Sequence, residues 1–180
     1  MSGQGLLLSS INKYFKQNNA NLDDFIKILN GKSKISLRLL DWLVTHYSKN
    51  KNTIYWIDSE NIYYDIPSNI EIAKKCKKIN LYYEYRAQLK SYTKFYFDPF
   101  RRHNRITYFI NDNDSIETTI GQLNFFRWVF MNKVLDYALM NIKDISIDMS
   151  LNSKTKKKSK ETTKLTKQHI DHTKCYIHFD

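Results

Sequence analysis

The sequence predicts a mainly helical α+β protein, a small helical domain built around one long buried helix with a short β-hairpin. Apolar residues recur at helical spacing in several stretches, and one of these stretches is far longer than the others. Two runs of β-branched and aromatic residues stand about four residues apart, which favours the hairpin. Only 4 glycines and 2 prolines occur in 180 residues, and this scarcity of turn residues argues against a sandwich or barrel of many short strands.

The N-terminal part of the chain predicts three short helices. Residues 6–17 carry apolar side chains at helical spacing and form the first. Asn21 is the expected cap of the second helix, residues 22–29, which stops at Gly31. Ser36 is the expected cap of the third helix. The apolar face of this third helix carries Leu37, Leu40, Leu43, Val44 and Tyr47.

Strand patterns follow, and then a further helix. Residues 53–57 and 62–66 are the two runs that predict the β-hairpin. Residues 68–79 are ambiguous and are interpreted as a weak helix. A stripe of Leu and Tyr side chains over residues 81–96 predicts a helix, which ends before Pro99 because the residue preceding a proline disfavours helical geometry.

The longest helical pattern predicts the centre of the core. After a strand at residues 105–110, apolar side chains recur from about Ile116 to Ile142 and cover roughly half of the helix circumference. Such a helix is mostly buried, so we expect the other elements to pack around it. A single globular α+β domain is therefore predicted over residues 5–149. Residues 150–180 are polar and Lys-rich and are predicted to form a basic, disordered tail.

The positive charge of the chain is concentrated in two segments. The formal net charge is +11; residues 74–105 hold 10 basic and 2 acidic residues, and the tail holds 8 and 3. Cations beside aromatic rings are typical of nucleic-acid binding, because cations neutralise phosphates and rings stack on unpaired bases. The rings expected to stack are Tyr92, Tyr96, Phe97 and Phe100. The predicted nucleic-acid-binding residues are Lys74, Lys75, Lys77, Lys78, Lys90, Lys94, Arg101, Arg102, His103, Arg105, Lys156, Lys157, Lys158 and Lys160.

Other interpretations of these residues stay open. The lysines can form a solvated face over aromatic residues that fill the core, or they can bind an acidic protein partner in a structural or assembly role. Three short helices followed by a hairpin also have the order of a winged helix. In that hypothesis the third helix would offer DNA the side chains of Arg38, Thr45, His46 and Lys49.

Enzymatic function is not supported by any motif. The chain lacks the common nucleotide-binding and catalytic patterns, so we expect no enzymatic activity and no cofactor. A metal-dependent nuclease is the enzymatic alternative, and it would require Asp98, Glu117 and the acidic residues of 112–114 to converge. No apolar run is long enough to span a bilayer, so no membrane partner is expected. Two distant cysteines, Cys76 and Cys175, indicate a reducing, intracellular compartment.

Two further groups of polar residues suggest specific roles, one in the long helix and one in the tail. Arg127 lies within the apolar arc of the long helix, where a guanidinium needs a carboxylate or several carbonyls. We expect a structural ion pair with Asp98 or Glu117, and a phosphate-facing role is the alternative. In the tail, His and Cys residues recur at three-residue steps, but this spacing matches no standard zinc finger and no metal site is predicted. That weak candidate consists of His169, His172, Cys175 and His178.

Three stretches of the chain have distinctive amino-acid sequences. They are LRLLDWLVTHYSK at 37–49, YEYRAQLKSYTKFYFDPFRR at 83–102 and ETTIGQLNFFRWVFMNKVLDYALMNI at 117–142, of which FDPFRR and TTIGQLNFFRW are the most specific. These stretches resemble a conserved, largely uncharacterised protein family of nucleocytoplasmic large (giant) DNA viruses. The resemblance implies expression in an infected cell, in the host cytoplasm at the viral factory or in the virion, and it carries over no catalytic residue.

Overall fold

The structure is a computed structural model that describes residues 3–101, 104–111 and 113–152. Within these residues, helices alternate with a three-stranded sheet and a two-stranded sheet, both antiparallel. The predicted fold class, α+β and mainly helical, is confirmed. The tail from residue 153 onward, including its predicted disorder, lies outside the described residues.

The first two helices are α1 (Gly3–Gln17) and α2 (Asn19–Leu29). The predicted cap at Asn21 is wrong, because α2 begins before it and the Asn21 amide instead donates to the Tyr14 hydroxyl at 2.7 Å. The predicted stop at Gly31 is confirmed. Gly31 has a φ of 68°, the left-handed conformation that commonly follows a helix and that glycine adopts without steric cost.

The third predicted helix contains an unpredicted π-helical turn. α3 (Leu37–Trp42) leads into the π-helical turn (Leu43–Tyr47) and then into α4 (Ser48–Lys51). Ser36 caps this segment as predicted, because its hydroxyl accepts a hydrogen bond from the Leu39 backbone N–H at 3.2 Å. Of its predicted apolar face, Leu40, Leu43, Val44 and Tyr47 are buried, and Leu37 is partly buried.

The predicted β-hairpin is confirmed and extended by a third strand. β1 (Ile54–Ile57) pairs with β2 (Ile62–Tyr63) on one edge and with β3 (Lys77–Asn80) on the other. The interpretation of residues 68–79 as a weak helix is therefore only partly right. α5 (Ile70–Ala73) is a single turn, and the residues just after it turn into the strand.

The predicted helix over 81–96 is confirmed as α6 (Leu81–Phe97), which ends at Asp98 before the proline. Thr93 interrupts its geometry with φ 59° and ψ 169°, so the helix is kinked one turn before its end. The side chain of Asn80 caps its start, since it accepts a hydrogen bond from the Tyr83 backbone N–H at 3.4 Å.

The long helix predicted from Ile116 to Ile142 is wrong at its start. Ile116 lies in the strand β5 (Ser115–Thr118), which pairs with β4 (Ile106–Phe109), the strand predicted at residues 105–110. The helix begins only after Thr119, whose hydroxyl caps it by accepting from the Gln122 backbone N–H at 3.1 Å.

The long helix is also not continuous. α7 (Ile120–Met131) stops where Lys133 adopts a left-handed φ of 51°, and α8 (Val134–Met140) follows. The Asn132 side-chain amide donates to the Trp128 carbonyl at 2.9 Å, and this carbonyl also accepts the Asn132 backbone N–H at 3.1 Å. The segment 142–152 is again helical. The predicted apolar face therefore belongs to two helices joined by a tight break.

The centre of the core is α7, so the prediction of a buried central helix holds for this shorter element. It packs against α1 and α6. Leu123, Phe125, Phe126 and Val129 are fully buried, and each contributes about 1.5–3 kcal/mol through removal of its side chain from water. Phe125 and Phe126 meet edge to face at 5.7 Å between ring centroids.

Candidate functional site

The first predicted basic cluster, Lys74, Lys75, Lys77 and Lys78, does not form one surface. Lys74 pairs with Glu71 at 3.3 Å. Lys77 and Lys78 are neighbours in β3 and therefore point to opposite faces of the sheet. The Lys78 ammonium lies 5.5 Å from the centre of the Trp56 ring, whereas that of Lys77 donates to the Asn132 side-chain oxygen at 3.0 Å.

A second group of cations converges on α6. Arg86, Lys90 and Lys94 follow one another at four-residue steps and line one hollow of ≈ 470 Å³. We call these three residues the α6 basic groove. All three are exposed. Within the described part of the chain, none of them has a carboxylate within 4.0 Å.

The α6 basic groove continues into a second hollow with mixed chemistry. Arg86 and Lys94 line this hollow too, together with Asp41, Asp98 and Phe100. The Phe100 ring is 46% exposed, so it is available to a flat ligand. Burial, followed by the charge of Asp98, raises the pKa of Asp41 from 3.8 to about 6. The groove is thus cationic along α6 and is bordered by an aromatic ring and two carboxyl groups.

Two other arginines of the predicted set lie elsewhere. Arg101 and Arg105 line a separate hollow with Glu117, and the Arg101 guanidinium lies 4.2 Å from the centre of the Phe95 ring. Arg102 and His103 lie outside the described residues. Phe97 is fully buried against Trp128 and Phe125, so the expectation that it stacks on bases is wrong.

The expected ion pair of Arg127 with Asp98 or Glu117 is wrong. The Arg127 guanidinium donates to the Ser10 hydroxyl at 2.9 Å and to the Asn124 side-chain oxygen at 2.7 Å, both neutral acceptors. Asp98 instead accepts a hydrogen bond from the Phe100 backbone N–H at 2.8 Å, which shapes the turn after α6.

Arg127 lines a cleft that sequence reasoning missed. The cleft has a volume of ≈ 590 Å³ and lies between α1, α6 and α7. Its basic lining residues are Lys13, Lys77 and Arg127, of which only Lys77 belongs to the predicted set. A signal was available in the sequence, since Asn124 and Arg127 are polar residues in a helix that is otherwise apolar over its buried face.

Several predicted residues cannot be placed. The lysines at 156, 157, 158 and 160 and the weak metal candidate at 169, 172, 175 and 178 lie outside the described residues. Across the residues that are described, no group of three or more His, Cys, Asp or Glu side chains is arranged to hold a metal ion. Over the same residues, no helix has the length and apolarity that crossing a membrane requires.

The fold and its surfaces define a mainly helical α+β protein whose basic residues are divided among several faces. Residues 2–175 match the family of unknown function DUF7197, and the chain belongs to this family. Over 162 residues the chain is 37% identical to an uncharacterised protein of Acanthamoeba polyphaga mimivirus. This match covers 87% of the chain and 58% of the viral protein. The chain thus spans little more than half of its relative's length. No solved structure matches.

These comparisons confirm the resemblance to an uncharacterised giant-virus family. They support the coarse statement that this is a viral protein of unknown function.

Proposed function

We propose that the protein binds nucleic acid through the phosphate backbone, at the α6 basic groove, without catalysing a reaction on it. The observation that carries this proposal is the grouping of Arg86, Lys90 and Lys94 around one exposed hollow. None of the three has a carboxylate within 4.0 Å among the described residues. Such a row of free cations attracts a polyanion by releasing the counterions condensed on it.

An aromatic ring next to the groove supports a single-stranded ligand. Phe100 shares a hollow with Arg86 and Lys94 and exposes almost half of its surface. The Tyr82 ring borders the same hollow. The Lys49 ammonium lies 6.0 Å from the centre of this ring and is a fourth cation in the region. A base that stacks on an aromatic ring contributes about 1–3 kcal/mol, and this platform is accessible only to unpaired bases.

The carboxyl groups in the neighbouring hollow limit where phosphates can lie. Asp41 and Asp98 would repel a phosphate placed beside them, so the strand is expected to follow the outer side of α6, along Arg86, Lys90 and Lys94. In an infected cell, a viral protein that binds nucleic acid in this way would act at the viral factory or in the virion.

The experiment is a fluorescence anisotropy titration of single- and double-stranded oligonucleotides at several salt concentrations. We expect binding that weakens steeply between about 50 and 200 mM salt. The variant Arg86→Gln/Lys90→Gln/Lys94→Gln should weaken binding and lower the slope of log K against log salt by about 2, since each single-strand phosphate contact contributes about 0.7.

A matched control removes the same charge elsewhere. Lys16, Lys32 and Lys34 are exposed and lie outside α6, so the triple Gln variant at these positions should retain the salt slope. Phe100→Ala should weaken single-stranded binding more than double-stranded binding. Loss of affinity that is equal in both triple variants would refute a defined groove. Binding that is absent at low salt, or cleavage of the strand in the presence of Mg²⁺, would contradict the proposal itself.

A further inference from the structure

The cleft between α1, α6 and α7 lies on a different face of α6 from the basic groove. Glu84, Gln88 and Tyr92 line the cleft at four-residue steps, whereas Arg86 and Lys90 lie between them in sequence and line the groove. A volume of ≈ 590 Å³ is in the range of sites that enclose small organic molecules. The cleft is therefore a separate candidate site and does not depend on the proposed function.

One end of the cleft offers an arginine held in place by neutral groups. Asn124 is 1% exposed, and its amide donates to the Tyr96 carbonyl at 2.9 Å, which fixes the direction of its oxygen. That oxygen and the Ser10 hydroxyl orient the Arg127 guanidinium from two helices. These two bonds use two of the five N–H groups of an arginine, so three remain for a ligand.

The charge at this end of the cleft is positive. Lys13 lies three residues after Ser10 in α1 and lines the same cleft. Neither Lys13 nor Arg127 has a carboxylate within 4.0 Å among the residues that the structure describes. A guanidinium and an ammonium group that line one cleft can both donate charge-assisted hydrogen bonds to a phosphate group.

The other end of the cleft has different chemistry. Lys77 is held there by the Asn132 side chain at 3.0 Å, and Glu84 lines the same cleft. The Tyr96 carbonyl contacts Asn124 at the Arg127 end, and Glu84 lies twelve residues earlier in α6, so Glu84 lies toward the opposite end of the cleft. The Tyr55 hydroxyl donates to the Asn132 carbonyl at 2.8 Å. A carboxylate at this end accepts hydrogen bonds from hydroxyl or amino groups and repels phosphate.

A buried donor without an acceptor lies between the two ends. Trp128 is 5% exposed and lines the cleft, and its indole N–H has no acceptor among the described residues. Asn124, Trp128 and Asn132 follow at four-residue steps, so the indole lies midway along about 12 Å of α7. Leaving a buried donor unpaired costs about 1–3 kcal/mol, which a ligand that supplies an acceptor would recover.

We propose that this cleft binds a nucleoside monophosphate, with the phosphate on Arg127 and Lys13 and the nucleoside toward Trp128 and Glu84. Tyr92, whose ring is stacked on Phe97 with centroids 6.2 Å apart, adds an aromatic surface to the cleft. Glu84 and Gln88 supply the polar groups that contact the sugar hydroxyls and the base edge.

The test is calorimetric titration of the full chain with the four nucleoside monophosphates, with adenosine and with inorganic phosphate. A monophosphate should bind at least about ten-fold more tightly than either adenosine or phosphate alone, because both ends of the cleft then contribute. Arg127→Gln and Lys13→Gln should each weaken monophosphate binding about ten-fold and leave adenosine binding unchanged. Lys13 is exposed, so its variant should fold even if the Arg127 variant does not.

A spectroscopic readout addresses the indole directly. The Trp128 side-chain N–H resonance, assigned with Trp128→Phe, should shift on addition of the monophosphate. The Lys16→Gln variant and the variant of the α6 basic groove should bind the monophosphate as the wild-type protein does. Their failure to do so would show that only overall charge matters, and would overturn the assignment to this cleft.

Three further results would overturn the proposal. They are the absence of saturable heat up to about 5 mM of every monophosphate, equal affinity for phosphate and monophosphate, and unchanged affinity in both cleft variants. A nucleoside monophosphate can also be the end of a strand. Displacement of adenosine monophosphate by a 5′-phosphorylated oligonucleotide, but not by its unphosphorylated counterpart, would identify the strand end as the source of the ligand.

Discussion

Asp41 provides a stability prediction that depends on pH. Burial, followed by the charge of Asp98, raises the pKa of its carboxyl group in the folded protein from 3.8 to about 6. The folded state therefore holds this proton more tightly than the unfolded state does. Below pH 3.8 both states are protonated and the group contributes nothing. Between pH 3.8 and about 6 stability is lost as the pH rises, and the full penalty remains above that range.

The size of the penalty follows from the two pKa values. The difference between 3.8 and about 6 corresponds to an upper limit of about 3 kcal/mol. Asp41 is only partly buried, so screening by solvent reduces the effect to about 1–1.5 kcal/mol. Asp41→Asn removes the ionisation, and it should raise the melting temperature at pH 7.5 by about 2–6 °C.

The assay is thermal unfolding of both proteins between pH 4.5 and pH 7.5, followed by circular dichroism. At pH 4.5 the gain should be clearly smaller than at pH 7.5, because the folded carboxyl group is then protonated to a larger extent. Asp65→Asn, at an exposed carboxylate, serves as the control for the loss of one negative charge. A gain of equal size at both pH values would refute the argument, since it would mean that shape or hydrogen bonding, not ionisation, separates the two proteins.

Two backbone positions give further predictions. Thr93→Gly should stabilise the protein by about 1 kcal/mol in chemical unfolding. A β-branched residue at φ 59° and ψ 169° is strained by about 1–3 kcal/mol, whereas glycine loses about 0.5–1 kcal/mol in entropy. Thr93→Ala keeps most of the strain and should not stabilise the protein. Gly121→Ala should destabilise by about 1–2 kcal/mol, because its new Cβ would lie 3.1 Å from the Phe95 carbonyl oxygen and 3.3 Å from the Asp98 backbone nitrogen. Gly3→Ala has open space and should be neutral or slightly stabilising, and equal effects at the two glycines would contradict this argument.

Local patterns predicted the helices that carry their own start and stop signals. Ser36 and Gly31 act as the sequence indicates, because capping and the left-handed conformation depend on one side chain and its immediate backbone. The stripe over 81–96 predicts α6 for the same reason, since its period is complete within one element. The kink at Thr93 was not predictable, because threonine has no intrinsic preference for that conformation.

The boundary at Ile116 shows what periodicity cannot decide. Residues 115–118 alternate in a way that fits either a strand or the first turn of a helix. Residues 115–118 form a strand because β4 pairs with them. That pairing is a contact across a turn, so it cannot be read from the segment alone. β3 was missed for the same reason, since its edge is supplied by β1.

The candidate sites were predictable only in composition. The lysines at 77 and 78 count equally in a charge tally, but strand geometry sends them to opposite faces. Lys90 and Lys94 were in the predicted set and Arg86 was not, although the three line one hollow. The cleft combines α1, β3, α6 and α7, and its residues come from four parts of the chain, so no local pattern could have assembled it.

The break after α7 connects the fold to the cleft. A helix that continued through Asn132 would engage its backbone in the next turn, whereas the left-handed Lys133 ends the helix and leaves the Asn132 carbonyl and side chain free for other partners. The carbonyl accepts from Tyr55 in β1, and the side chain accepts from Lys77 in β3 and donates back to Trp128. The break that makes the prediction of one long helix wrong therefore connects the three-stranded sheet to α7. It also holds Lys77 at one end of the cleft.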